Sequence, residues 1–328
     1  MSRKEQAKKI GFVCLVLILV LVILISGLRI LESTAFLKGQ TGEGQIASKT
    51  IERNGVKYFP RQDITVMLIM DIDEFGPVKD SGSYNNTGEA DMIALAVFDE
   101  TNEQMDILYI NRDTMVDMPV LGIGGKPAGT ANRQIAVSHT YGSGLEDSCE
   151  NTKKTVSDLL YGLPINYYVA MNMDAIPIMN DAVGGVTVNV TDDFSQVNPS
   201  ITMGELTLKG DQVIDYVRTR KNVGDQKNVT RMARQREYVD GFLEKLYSKA
   251  EEDPTFLLSA YEAVAPYIVT DCSVETLSSM LERYSDFTIA GAISPEGENT
   301  VVDGHYQFHV DEEKLDALIV ELFYRPKK

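Results

Sequence analysis

Three groups of side chains in this 328-residue sequence carry the makings of chemistry on an anionic ligand. The first is acidic: Asp71, Asp73 and Glu74 close one apolar run, and Asp91 opens the next. Carboxylates at the ends of neighbouring strands converge on one edge of a sheet, where ligands bind in open α/β folds. Two such carboxylates, completed by phosphate oxygens, suit Mg2+, a hard cation that keeps several of its waters. An EF-hand starting at Asp71 is excluded, because Phe75 and Gly82 stand where oxygen ligands are required. Ordinary turn and capping carboxylates are the alternative reading of the same residues.

The second group is Asn111, Arg112, Asp113 and Thr114, directly after the apolar run at 105–110. Taken alone, an Arg-Asp pair there reads as a structural salt bridge. The third is basic. Residues 218–236 hold Arg218, Arg220, Lys221, Lys227, Arg231, Arg234 and Arg236 against one acid, Asp225. The chain as a whole carries −17, so a segment of net +6 is not an ordinary solvated face. It reads as a receptor for an anion, since guanidinium forks match phosphate oxygens two at a time. Arg231, Arg234 and Gln235 have the spacing of one helical face.

Other chemistries lack their residues. There is no Walker A sequence and no Gly-x-Ser-x-Gly elbow. His139 follows Ser138 but has no identifiable triad partner, and reads as structural. Three histidines make a His-rich metal site improbable, and three cysteines (Cys14, Cys149, Cys272) make no disulfide scaffold or zinc site. Cys149 and Cys272 read as buried free thiols rather than as a pair. The strong negative charge argues against nucleic-acid binding, which demands basic surface.

The elements that must position these groups alternate. Apolar runs at 64–70, 92–98 and 105–110 read as buried strands, and 165–172 and 186–190 as two more. Helical spacing covers 151–161, 173–183 and 211–219, and a longer helix carries its apolar stripe on Met232, Val239, Phe242, Leu243 and Leu246. A helix-rich stretch is expected over 253–284, then a short strand near 287–293 and a terminal helix from Asp311. This alternation predicts an α/β sandwich around a central mixed sheet. Composition agrees with a globular chain, at 44% hydrophobic and 24% charged residues.

Residues 10–28 form 19 consecutive uncharged positions, mostly Leu, Ile and Val. As a helix they span about 28 Å, the thickness of a bilayer core. The run exceeds a signal-peptide core and lacks a small-x-small cleavage site, which favours an uncleaved anchor over a cleaved leader. Arg3, Lys4, Lys8 and Lys9 precede it, so the positive-inside rule keeps residues 1–9 in the cytoplasm. The expected plan is a cytoplasmic tail at 1–9, a transmembrane anchor at 10–28, an extracellular connector at 29–62 and an extracellular domain at 63–328.

The ordered set of motifs resembles the LytR-CpsA-Psr family of bacterial cell-envelope proteins. It comprises the strand ending in Asp73, Asp91 before MIALAVF, INRDT (110–114), QIAVSHTYGSG (134–144), the Gly184-Gly185-Val186 strand start, YVRTRK (216–221) and RMARQR (231–236). The resemblance implies a three-layer α/β/α sandwich. It also implies transfer of a glycopolymer from a polyprenyl-diphosphate carrier to peptidoglycan, with Mg2+. By position, Asp73 and Asp91 would hold the metal, and Arg112, Arg218, Arg220, Arg231 and Gln235 would grip the diphosphate. Asp73, Arg112 and Asp113 would form the catalytic centre, Asp113 orienting Arg112. Four features depart from the family pattern. Glu89 stands where Arg is usual, Phe75 where a basic residue is common and Gln134 where Lys is frequent, and the loop 76–88 is long. A carrier-binding protein of the same fold without transfer is the alternative these departures raise.

Overall fold

The computed structural model describes residues 50–326, except 54, 123, 220, 225–233, 235–236, 239–240, 243, 247, 250–251, 254–255, 274–275, 277–278, 281–282 and 285–286. The span at 10–28 and the residues Arg220, Arg231 and Gln235 therefore lie outside the described residues. Among the described residues no helix is long and apolar enough to cross a membrane.

A six-stranded mixed sheet forms the centre. Its middle is an antiparallel meander of β3 (Ile64–Ile72), β4 (Ala90–Asp99) and β5 (Gln104–Ile110). Strand β8 (Tyr167–Asn172) lies parallel to β3, and β11 (Ile268–Thr270) closes that side antiparallel to β8. On the other side β12 (Thr288–Ile293) runs parallel to β5.

Both faces of this sheet are dry, which explains why its strands read as unbroken apolar runs rather than as alternating patterns. Met67 and Ile69 of β3 face one core with Ala94, Ala96 and Phe98 of β4. Val66, Leu68, Met70 and Ile72 face the other with Ile93, Leu95 and Val97. The first core is covered by α2 (Ala175–Ala182), α3 (Gln212–Arg218) and α4 (Phe256–Val264), with Phe242 and Leu246 packed in beside them. The second is covered by α1 (Glu146–Leu159) and α5 (Glu312–Phe323), together with a 3-10 turn at Ile135–Thr140. Helices on both faces give the layers that the alternation predicts.

Several outer pieces differ from the sequence expectations. Residues within the expected connector form β1 (Ile51–Arg53) and β2 (Val56–Pro60), and β2 pairs with the C-terminal β15 (Tyr324–Pro326). Residues 56–60 are thus the middle strand of a three-stranded sheet whose third strand lies at the far end of the chain. The stretch expected to be helix-rich contains β11, whose β-branched Ile268, Val269 and Thr270 suit an edge strand. The strand expected at 186–190 is β9 (Thr187–Val190), but its partner β10 (Gly204–Thr207) is not among the expected elements. Two further two-stranded ladders carry too little apolar patterning to be read from sequence: β6 (Met115–Leu121) with β7 (Pro127–Gln134), and β13 (Gly297–Val302) with β14 (His305–Val310).

The long connection between β3 and β4 is pinned rather than loose. The Asn86 side-chain amide donates to the carbonyls of His139 (3.0 Å) and Gly142 (2.8 Å), and Val78 N–H donates to Pro266 at 2.8 Å. Gly142 is required there, because a Cβ would sit 2.3 Å from Ser148 Oγ. His139 is buried and structural, as expected: its Nδ1 bonds the Gly88 carbonyl at 2.8 Å, and burial lowers its pKa. Cys149 and Cys272 are buried free thiols, and burial pushes the Cys149 thiol far up, leaving it inert.

Candidate active site

The register of the central sheet brings the candidate residues to one edge. Ile72 at the end of β3 pairs with Asn172 at the end of β8, and Ile93 near the start of β4 pairs with Ile110 at the end of β5. Asp73, Asp91, Arg112 and Met173 therefore leave neighbouring strands at the same place. Arg218 reaches that edge from the last residue of α3, which packs over it through Val213, Tyr216 and Val217.

A β-bulge aims Asp91. Asp71 pairs with Met92 and Ile72 with Ala90, so Asp91 is the extra residue on β4. Ala90 and Ile93 both join the second core, while Met92 packs against the first. Strict alternation would send Asp91 to the face of Ile93. The inserted residue instead turns it toward Arg218 on the opposite face, which is how bulges commonly re-aim a side chain beside a site.

Asp91 is the hub of the ion pairs. Arg218 Nη2 donates to its Oδ2 at 3.0 Å, and Arg112 Nη1 donates to its Oδ1. The other terminal nitrogen of Arg112 donates to Glu89. Arg112 Nε lies 3.9 Å from Asp113 Oδ1. Arg218 Nη1 also lies 2.7 Å from Met173 Sδ. Burial raises the Asp91 pKa, opposed by Arg112 and Arg218 and reinforced by Asp73 and Glu89.

Asp113 is held on its other side. Gln134 Nε2 bridges Asp113 Oδ1 (2.8 Å) and the carbonyl of Tyr306 (2.7 Å), and Phe308 N–H donates to the Asp113 carbonyl at 2.8 Å. Gln134 thus ties the Arg112 loop to the β13–β14 hairpin.

Asp71 lies behind the rim, on the face of the first core. It is 3% exposed, and its Oδ1 has no hydrogen-bond partner among the described residues. Burial pushes its pKa up to about 7; Arg218 opposes this, while Asp91 and Asp73 add to it. An orphaned buried carboxyl oxygen behind exposed Asp73 and the hub Asp91 makes this edge rich in hard oxygen donors, which fits a divalent cation completed by phosphate oxygens. Among the described residues no three Asp, Glu, His or Cys side chains already converge as a metal site.

The structure divides the basic segment. Arg218 joins the site, whereas Arg234 is 4% exposed and turned into the protein. It pairs with Asp192, donates to the Tyr216 carbonyl at 3.1 Å and stacks over Phe194 with its guanidinium carbon 5.1 Å from the ring centroid. Its expected place on a ligand-facing stripe with Arg231 and Gln235 is corrected. The pull of Asp192, Phe194 and the α3 carbonyls draws it inward instead. Sequence reasoning also missed Met173 and Asp192, which carry no motif of their own.

Comparison with known proteins places the fold among solved structures and the chain in a family. The TagU protein of Enterococcus faecalis, named a polyisoprenyl-teichoic acid–peptidoglycan teichoic acid transferase, is 28% identical over 240 residues, 72% of each chain. The Bacillus subtilis protein of the same name is 28% identical over 266 residues, 80% of this chain and 78% of its own. The solved structure of gbs0355 from Streptococcus agalactiae superimposes with a TM-score of 0.60 at 21% identity, covering 79% of this chain and 86% of that one, and shares the fold. Residues 33–323 match the LytR_cpsA_psr family, and the chain belongs to that family.

Proposed function

We propose that this protein transfers a glycopolymer from a polyprenyl-diphosphate carrier to peptidoglycan. The observation that carries the reading is the convergence of two guanidinium forks, Arg112 and Arg218, on one carboxylate at a sheet edge beside Asp73. A diphosphate offers oxygens to two forks at once, and charge-assisted pairs of that kind are the strong ones. The relatives named as teichoic acid transferases support the same substrate class.

In this reading the acceptor hydroxyl attacks the phosphorus that bears the sugar. A new P–O bond forms, the bridging P–O bond breaks, and the carrier leaves as polyprenyl monophosphate, which takes up the proton lost by the hydroxyl. Arg112 and Arg218 neutralise charge as it builds on the leaving and non-bridging oxygens, an effect enlarged where water is partly excluded. Asp113, fixed by Gln134, orients Arg112. Arg220, Arg231 and Gln235 would complete the grip on the diphosphate. Asp73 and Asp91 would hold Mg2+, whose contribution is to offset phosphate charge and polarise the phosphoryl oxygens. The apolar span at 10–28 would anchor the protein in the membrane, with the amino terminus cytoplasmic and the domain outside, next to its lipid-linked donor.

The test is transfer by the full chain in detergent, given a labelled polyprenyl-diphosphate glycan and peptidoglycan fragments. Mg2+-dependent release of polyprenyl monophosphate coupled to labelled acceptor is the expected result. Full activity of an Asp91→Ala or Arg218→Ala variant would sink the reading.

A further inference from the structure

Glu89 does not stand idle in the place where a basic residue is usual. Its carboxylate accepts from Arg112 Nη2, while Asp91 takes Nη1. Both terminal nitrogens of Arg112 are therefore engaged by carboxylates, and a third carboxylate oxygen lies 3.9 Å from Nε. A phosphate that takes both terminal nitrogens as a fork competes with these carboxylates for them. The two are not equally displaceable. The Asp91 side chain is 16% exposed and is also held by Arg218, whereas that of Glu89 is 41% exposed.

Resting on the diphosphate reading above, we propose that Glu89 is a tethered anion that competes with the ligand's phosphate for Arg112. With the site empty it occupies the fork. On binding, the phosphate takes its place, and after transfer Glu89 returns to Arg112 and helps expel the product phosphate. Three features support competition in place of simple repulsion. Glu89 touches the same nitrogen a phosphate would use. Its backbone is fixed, because its carbonyl accepts from Asp73 N–H at 2.9 Å. Its exposed side chain has room to swing outward. A solvent-exposed ion pair of this kind is weak enough to be exchanged at equilibrium.

The competitor lowers affinity for every anion that uses Arg112, substrate and product alike, and so shortens their residence. Affinity differences among related complexes fall mostly on dissociation rates. The device thus suits a transferase that has to release a charged lipid phosphate.

The experiment is titration calorimetry of the full chain in detergent, with inorganic pyrophosphate and, separately, inorganic phosphate, in Mg2+. Glu89→Gln should tighten both about tenfold, or ~1.4 kcal/mol. The decisive comparison adds Arg112→Met. If Glu89 acts by competing for Arg112, Glu89→Gln gives less than a twofold gain in the Arg112→Met background. An equal gain in both backgrounds would show that Glu89 acts only as distant charge, and would overturn the proposal. Unchanged affinity in Glu89→Gln alone would overturn it too, and leave the diphosphate reading standing. Failure of the unaltered protein and of Glu89→Gln to bind pyrophosphate at all would instead overturn both.

Discussion

Arg234 donates to the carbonyl oxygen of Thr219 at 2.5 Å, so a buried member of the basic segment fixes the backbone directly after Arg218, which pairs with Asp91 at the sheet edge. One arginine serves the fold and the other the site, although both lie in the same run of positive charge. Replacing Arg234 by Met leaves Asp192 unpaired and frees the end of α3. Loss of one partner of a buried pair costs about 3–5 kcal/mol. The urea-unfolding midpoint of Arg234→Met should fall accordingly, and Arg234→Lys should recover only part of it, since one ammonium cannot replace several directed N–H groups.

Arg218 predicts the opposite pattern. Its side chain is about one-third exposed, at 35%, and its role is directed at the site. Arg218→Ala should lower transfer at least a hundredfold, about 2.7 kcal/mol of barrier, with the circular dichroism spectrum and melting temperature little changed. Arg218→Lys should recover less than a tenth of the loss, because a point charge cannot bridge two oxygens as a fork does.

Asp71 makes a prediction with a definite sign. Its folded pKa, about 7, lies above the ordinary 3.8, mainly through burial. Its neutral form is therefore the one the fold favours. That contribution is fully present below about pH 4 and is lost as pH rises through 7, to a limit of about 4 kcal/mol. In chelator, the stability of Asp71→Asn relative to the unaltered chain should rise steadily from pH 4 to about pH 8. Parallel stability curves for the two proteins would contradict it.

Gly142 holds the long β3–β4 connection against α1. An added Cβ would meet Ser148 Oγ at 2.3 Å and its backbone at 2.7 Å. Gly142→Ala should destabilise by roughly 1–3 kcal/mol, the usual range for overpacking. Limited proteolysis should then cut within residues 76–88 before any core element.

The centre of the fold was readable because its strands are buried on both faces, and continuous apolar runs such as 64–70 leave little room for another reading. The polar hairpins were not, since residues such as 127–134 are mostly exposed and carry neither apolar period. Charge and position singled out Asp73, Asp91 and Arg218, and the family resemblance added Arg112; the structure brings these four to one sheet edge. Two things were hidden. The bulge at Asp91 depends on pairing between strands, which no local pattern records. The inward turn of Arg234 depends on Asp192 and Phe194, far away in sequence. Spacing placed Arg234 on a face but could not say toward what.

The pairing of β2 with β15 joins residues near the start of the domain to the last strand of the chain, and β12, completing the sheet beside β5, also comes late. Protein synthesis proceeds at roughly 5–20 residues per second, so β2 waits on the order of 15–50 s for its partner to be made. Hydrophobic collapse of a chain this size needs far less than a second. During that delay the apolar strands of the meander are complete while the edge of β5 waits for β12 and the edge of β2 waits for β15, and open strand edges are prone to mispairing. The sheet centred on β2 is therefore completed only once residues 324–326 have been made, and a nascent chain stopping just short of Tyr324 leaves that edge of β2 without its partner strand.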